Sequence, residues 1–182
     1  MRLVRRVVVV GNSGSGKSTF ARHLATWIGA PHVELDALFH QPGWQRLPVD
    51  AFRRAVDERT AGDRWVVDGN YSAVRELVWS RADTIVWFDF PRRRVMWQVT
   101  LRTLHRAATR RELWNGNRER WRNVVRWHPE QNIIRWAWTR HHEYRTRYLR
   151  ALAEPSAGAR TWVVLHSHAD AEEWLSTLPR LT

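Results

Sequence analysis

Apolar positions follow two periods along this chain. Short, mostly β-branched runs occupy Leu3 to Val10, His32 to Asp36, Trp65 to Gly69, Thr84 to Asp89 and Thr161 to Leu165, and each reads as a buried parallel strand. Between them the spacing is helical. Phe20, Leu24, Trp27 and Ile28 predict a helix from Lys17 to Ile28, stopped by Gly29-Ala30-Pro31; Val49, Phe52 and Val56 predict another from Val49 to Thr60, ended by Ala61-Gly62. Leu38 to Pro48, with a glycine and two prolines, reads as a loop. From about Arg92 to Ala153 the chain is helical and basic, broken at Gly116 and restarted at Pro129. There Ile134, Ala137, Trp138, His141, Tyr148 and Leu152 predict an apolar stripe, while Val95, Met96, Val99 and Leu104 lie off the arginine face of the preceding helix. Glu154 to Gly158 reads as a turn, and a last helix runs from Ala169 to Leu178. Strands alternating with helices predict βαβ units and an α/β fold with a parallel sheet.

Composition narrows the chemistry. The 182 residues suit one domain, with 43% hydrophobic residues to build a core. No apolar run reaches the roughly 20 residues that span a bilayer, and Met1 to Gly11 lacks the form of a secretory signal, so a cytoplasmic protein with no membrane partner is expected. Cysteine is absent, which excludes disulfides, thiolate catalysis and cysteine zinc sites. A formal charge of +12 points to anionic partners, whether nucleotides or nucleic acid. Lys17 is the only lysine among these basic residues.

That lysine sits in Gly11-Asn12-Ser13-Gly14-Ser15-Gly16-Lys17-Ser18, a complete G-x-x-x-x-G-K-[ST] phosphate loop with a strand before it and a helix after it. Glycines let the backbone close around phosphate oxygens, and the following helix aims its positive end at the same point. Gly11 to Thr19 is therefore the expected ATP phosphate site, with Lys17 on the β- and γ-phosphates and Ser18 on Mg²⁺. A second acid must support the metal. Asp68, followed by Gly69, which permits close approach of a ligand, and Asp89 both end buried strands; Asp68 is favoured, and Asp89 has the alternative of capping the helix after Pro91. Asp36, at the end of the second strand, falls at the sheet edge where open α/β folds bind ligands, and suits an acceptor hydroxyl.

With these motifs in place the chain resembles the small P-loop kinases of the adenylate-kinase and shikimate-kinase type. Within them it is similar to bacterial topology-modulation, or adenylate-kinase-related, proteins through Leu35-Asp36-Ala37-Leu38, Pro42-Gly43-Trp44, Asp68-Gly69-Asn70-Tyr71-Ser72 and Leu113-Trp114-Asn115-Gly116-Asn117-Arg118-Glu119. The resemblance implies a P-loop NTPase fold: a five-stranded parallel sheet flanked by helices, an acceptor-binding segment over about 37–62 and an arginine-rich helical lid over about 102–128. Asn70-Tyr71-Ser72 stands where adenylate kinases carry Phe-Pro-Arg, and Arg75 is the next arginine.

Phosphoryl transfer concentrates negative charge, which cations around the moving group stabilise. Arg102, Arg106 and Arg110 fall at i, i+4 and i+8 on one helical face, with Arg111 beside them and Arg140 on the returning helix. Arg106, Arg110 and Arg140 join Lys17 and Asp36 as catalytic candidates; Trp44, Tyr71 and Arg75 join Asp36 as acceptor-binding ones, the two aromatics as stacking surfaces. His166 to Ala169 is expected to form the loop that brackets adenine. The expected activity is an ATP- and Mg²⁺-dependent phosphotransferase acting on a nucleotide, a nucleoside or another hydroxyl compound. A nucleic-acid-binding NTPase affecting DNA topology and a nucleotide-binding regulator without turnover are the alternatives.

Overall fold

The computed structural model describes residues 4–109, 112–117, 133–154 and 160–180, apart from the side chains of 106, 107, 133 and 134. Strand β1 (Arg6–Gly11) is central, because its four valines alternate sides: Val7 and Val9 face one core, Val8 and Val10 the other, and all four are buried. It pairs in parallel with β5 (Trp65–Asp68) and β6 (Thr84–Phe88); β2 (His32–Glu34) and β7 (Thr161–Leu165) complete a five-stranded parallel sheet in the order β2-β5-β1-β6-β7.

Helices cover both faces. On one lie α1 (Lys17–Trp27), α5 (Arg92–Thr109) and α7 (His168–Ser176), which bring Phe20, Leu24, Val95 and Ala171 onto Val7, Val9 and Val86. On the other lie α3 (Val49–Arg59), α4 (Ser72–Arg81) and α6 (Ile133–Ala153), which bring Phe52, Val56, Val74, Val78 and Tyr148 onto Val8, Val10 and Ile85. The predicted two-layered helical cover and parallel sheet are both present. Helix α4 has no counterpart in the sequence reading, since its ten residues bury only Val74 and Val78.

Three local expectations change. Strand β2 ends at Glu34, and Asp36 lies inside a one-turn helix, α2 (Leu35–Phe39), rather than at a strand end. The expected loop after it holds a small antiparallel hairpin, β3 (His40–Gln41) and β4 (Gln45–Arg46), joined by a 3₁₀ turn at Pro42–Trp44. In α6 the inward stripe is Ala137, His141, Tyr144 and Tyr148, spaced i, i+4, i+7 and i+11, with Ala137 and Tyr148 buried and the other two half-buried; Trp138 is 52% exposed and Leu152 also faces solvent. Leu104 in α5 is exposed as well, whereas Val95 and Val99 are buried. The helix start at Pro129 and most of the turn after Glu154 lie outside the described residues.

Candidate active site

The phosphate loop leaves the carboxyl end of β1 and is pressed between α5 and α7. At Gly16, φ is +88° and a Cβ would stand 2.7 Å from Cε1 of His168, so both the backbone and the neighbouring ring demand glycine. Helix α1 then starts with no side-chain cap and no acid in its first turn, and the Ser15 hydroxyl is buried with no hydrogen-bond partner among the described residues. Unmet donors at a helix N-terminus are what an anion would satisfy. Above the loop opens a cleft of about 350 Å³, lined by Gly14, Lys17, Ser18 and Thr19 and by Gln98 and Arg102 of α5. Arg102 Nη2 donates to Ser13 Oγ at 3.1 Å, which places the first of the predicted arginines on the loop itself. The Arg106 side chain, Arg110, Arg111 and residues 118–128 of the expected lid lie outside the described residues.

Asn12 contributes from behind. Its carboxamide donates to Ala137 O at 2.8 Å and accepts from Ser13 N at 2.8 Å, so the side chain ties the loop to α6. Asn70 does the same for the strand end: Nδ2 donates to Gly11 O at 2.5 Å, while Oδ1 accepts from Gly11 N at 3.3 Å and from Tyr148 Oη at 2.9 Å. His168, in the segment expected to bracket adenine, packs edge-on to Phe90 and contacts Gln98 at 2.9 Å, while burial, ahead of nearby Arg94, lowers its pKa. The preceding Ser167 caps α7 by accepting from Asp170 N.

The two candidate acids separate. Asp68 is 2% exposed; Oδ2 accepts the Ser18 hydroxyl proton in a short hydrogen bond and Oδ1 accepts from His32 Nε2 at 2.8 Å. Asp89 is held by Arg145 Nε at 3.0 and 3.2 Å on its two oxygens, an ion pair to α6 rather than a cap of α5. Ser18 and Asp68 thus form a pair of hard oxygen donors beside the loop, the donor type Mg²⁺ takes. At Gly69, φ is +139° and a Cβ would stand 2.8 Å from Cβ of Leu35, so backbone and packing already require glycine there. Glu34, in register with Asp68, has its pKa raised by burial and then by Asp68, against a hydrogen bond from Trp114 that lowers it.

Asp36 and Tyr71 follow the carboxyl ends of β2 and β5 and meet there: the Tyr71 hydroxyl donates to Asp36 Oδ1 at 2.6 Å and lies 3.4 Å from His40 Nε2. The Tyr71 ring is not a free stacking surface. It packs against Phe39 at 4.8 Å and Phe52 at 5.1 Å, and burial followed by the charge of Asp36 drives its pKa far upward. Trp44, half-buried, meets His40 and Trp114 edge-on, and its backbone N–H donates to Asn117 Oδ1 at 2.9 Å. Asn117 Nδ2 donates to Gln41 O at 2.9 Å, and Asn115 Nδ2 to Ala37 O at 3.0 Å and His40 O at 2.6 Å. The segment Leu113–Asn117 is therefore bolted onto the hairpin that carries Trp44. Arg75 lies half-buried near Arg147, and burial, ahead of that like charge, lowers its pKa; Arg140 and Arg147 both pair with Glu143 on α6. Sequence reasoning missed His32, Asn70 and the bonding of Asn115 and Asn117; only their place in resembling segments marked the asparagines.

No protein-family model matches the chain, and no curated protein matches it in sequence. Solved structures do. A gluconokinase from Sinorhizobium meliloti 1021 is similar over 97% of this chain and 94% of its own, at 18% identity and a TM-score of 0.52. A shikimate kinase from Bacteroides thetaiotaomicron is similar over 96% of this chain and 95% of its own, at 12% identity and a TM-score of 0.54. With a strand–phosphate loop–helix start and the sheet order given above, the chain has the fold of the P-loop kinases.

Proposed function

We propose that the protein is a phosphotransferase that moves the γ-phosphoryl group of ATP to a hydroxyl of a small acceptor. The observation that carries this reading is the pairing of two sites at one sheet edge: a phosphate loop with Ser18 bonded to Asp68, and a carboxylate, Asp36, oriented by Tyr71. Helix α1 and Lys17 bind the phosphates, and Arg102 adds a cation on the α5 side of the cleft. Ser18 and Asp68, the latter through water, would hold Mg²⁺, which when bound neutralises phosphate charge. Asp36 accepts the proton of the acceptor hydroxyl as its oxygen bonds to phosphorus, and ADP departs with the former bridging oxygen.

The acceptor is a nucleotide, a nucleoside or another small hydroxyl compound. Arg46 stands opposite His40 in the hairpin, and Arg75 lies on α4; these cations favour an acceptor with an anionic group. The two solved neighbours are named as a gluconokinase and a shikimate kinase, in keeping with a small-molecule kinase. Purified protein with labelled ATP and a panel of nucleosides, nucleotides, sugars, hydroxy acids and oligonucleotides tests the reading. Transfer to a small acceptor supports it; hydrolysis stimulated only by nucleic acid overturns it.

A further inference from the structure

A carboxylate that is 2% exposed needs hydrogen bonds on both oxygens, and Asp68 draws them from two elements. Ser18, in the first turn of α1, serves Oδ2, and His32, on the edge strand β2, serves Oδ1 from Nε2 at 2.8 Å. The residue in register with Asp68 across β2 and β5 is Glu34, a second acid on the neighbouring strand. His32 and Glu34 are two residues apart on one strand and so share a face of it. Without His32, Oδ1 of Asp68 would lose its donor while the like charge of Glu34 remained beside it. A carboxylate free to turn from Ser18 would no longer take the serine proton, and that bond leaves a serine lone pair for a cation.

We infer that His32 is a positioning residue for the cation-binding pair: it fixes the Asp68 carboxylate with Oδ2 on Ser18 and thereby sets how tightly Mg²⁺ binds with the nucleotide. The inference rests on the phosphate-loop reading of the site. Partners that orient metal-binding groups in this way typically change metal affinity 10- to 100-fold when removed.

The test is calorimetric binding of ATP with Mg²⁺ and with EDTA, together with Mn²⁺·ATP binding followed by electron paramagnetic resonance, on the unaltered protein, His32→Ala and His32→Gln. The unaltered protein binds ATP more tightly with Mg²⁺ than with EDTA. In His32→Ala that gain falls about 10- to 100-fold while affinity in EDTA is unchanged. His32→Gln, which keeps an N–H donor, retains most of the gain, and His32→Ala adds nothing in an Asp68→Asn background. A gain preserved in His32→Ala overturns the inference alone, as does an equal loss in EDTA, which would mark a collapsed loop. No gain in the unaltered protein overturns the metal reading of the site, and the inference with it.

Discussion

Tyr71 donates a 2.6 Å hydrogen bond to Asp36 while its ring is locked between Phe39 and Phe52. Packing and chemistry are thus carried by different parts of one side chain. Tyr71→Phe keeps the ring contacts and removes the donor. A hydrogen bond to a charged group is worth about 1.5–3 kcal/mol, so kcat for transfer falls roughly tenfold to a hundredfold with ATP affinity unchanged. Steady-state kinetics of the variant check this; an unaltered kcat would remove Asp36 from the proton path.

Arg102 is the one predicted lid arginine whose described side chain reaches the phosphate loop. Arg102→Ala lowers kcat by about 10²- to 10³-fold at fixed salt, as loss of one preorganised donor to transition-state charge does. The change is read in single-turnover transfer with saturating ATP.

Glu34 yields a pH signature. Its folded pKa lies above its unfolded value, chiefly through burial and then Asp68. The folded state therefore holds this proton more tightly, and stability is lost as pH rises from the unfolded pKa through the folded one. Glu34→Gln removes that loss and leaves an oxygen to accept from Trp114. Thermal unfolding shows the variant more stable by a few degrees at pH 7, with the difference vanishing toward pH 4.

Asn117 is 3% exposed and joins the Trp44 turn to Leu113–Asn117 through bonds to Trp44 N and Gln41 O. Asn117→Ala leaves these half-buried groups unpaired, at about 1 kcal/mol or somewhat more. Denaturant unfolding registers the loss. The acceptor KM rises while ATP affinity stays, because the disturbed hairpin adjoins Asp36 and not the phosphate loop.

Local patterns were enough for the sheet and the nucleotide half of the site. Val7 to Val10 has no polar residue to hide, so a strand covered on both sides was legible, and the glycines before Lys17 have a local reason to be there. The acceptor half depends on contacts between distant residues. Trp44 bonds Asn117, 73 positions away, and Asn115 bonds Ala37, 78 positions away; no window of sequence contains both partners. Five residues, Leu35 to Phe39, are too few to show a helical period, so the pattern leaves Asp36 at a strand end. Tryptophan is apolar, so the pattern puts Trp138 in the stripe, yet Arg92 covers its ring at 3.3 Å from the ring centre and it stays at the surface.

The central claim is phosphoryl transfer from ATP bound at the phosphate loop to a small hydroxyl acceptor. Labelled-phosphate transfer across the acceptor panel, run in parallel on the unaltered protein and Lys17→Ala, tests it most directly. The account predicts a labelled small-molecule product from the unaltered protein and none from a folded Lys17→Ala. Equal turnover in both proteins, or ATP hydrolysis that rises only with DNA or RNA and labels no small acceptor, would contradict it.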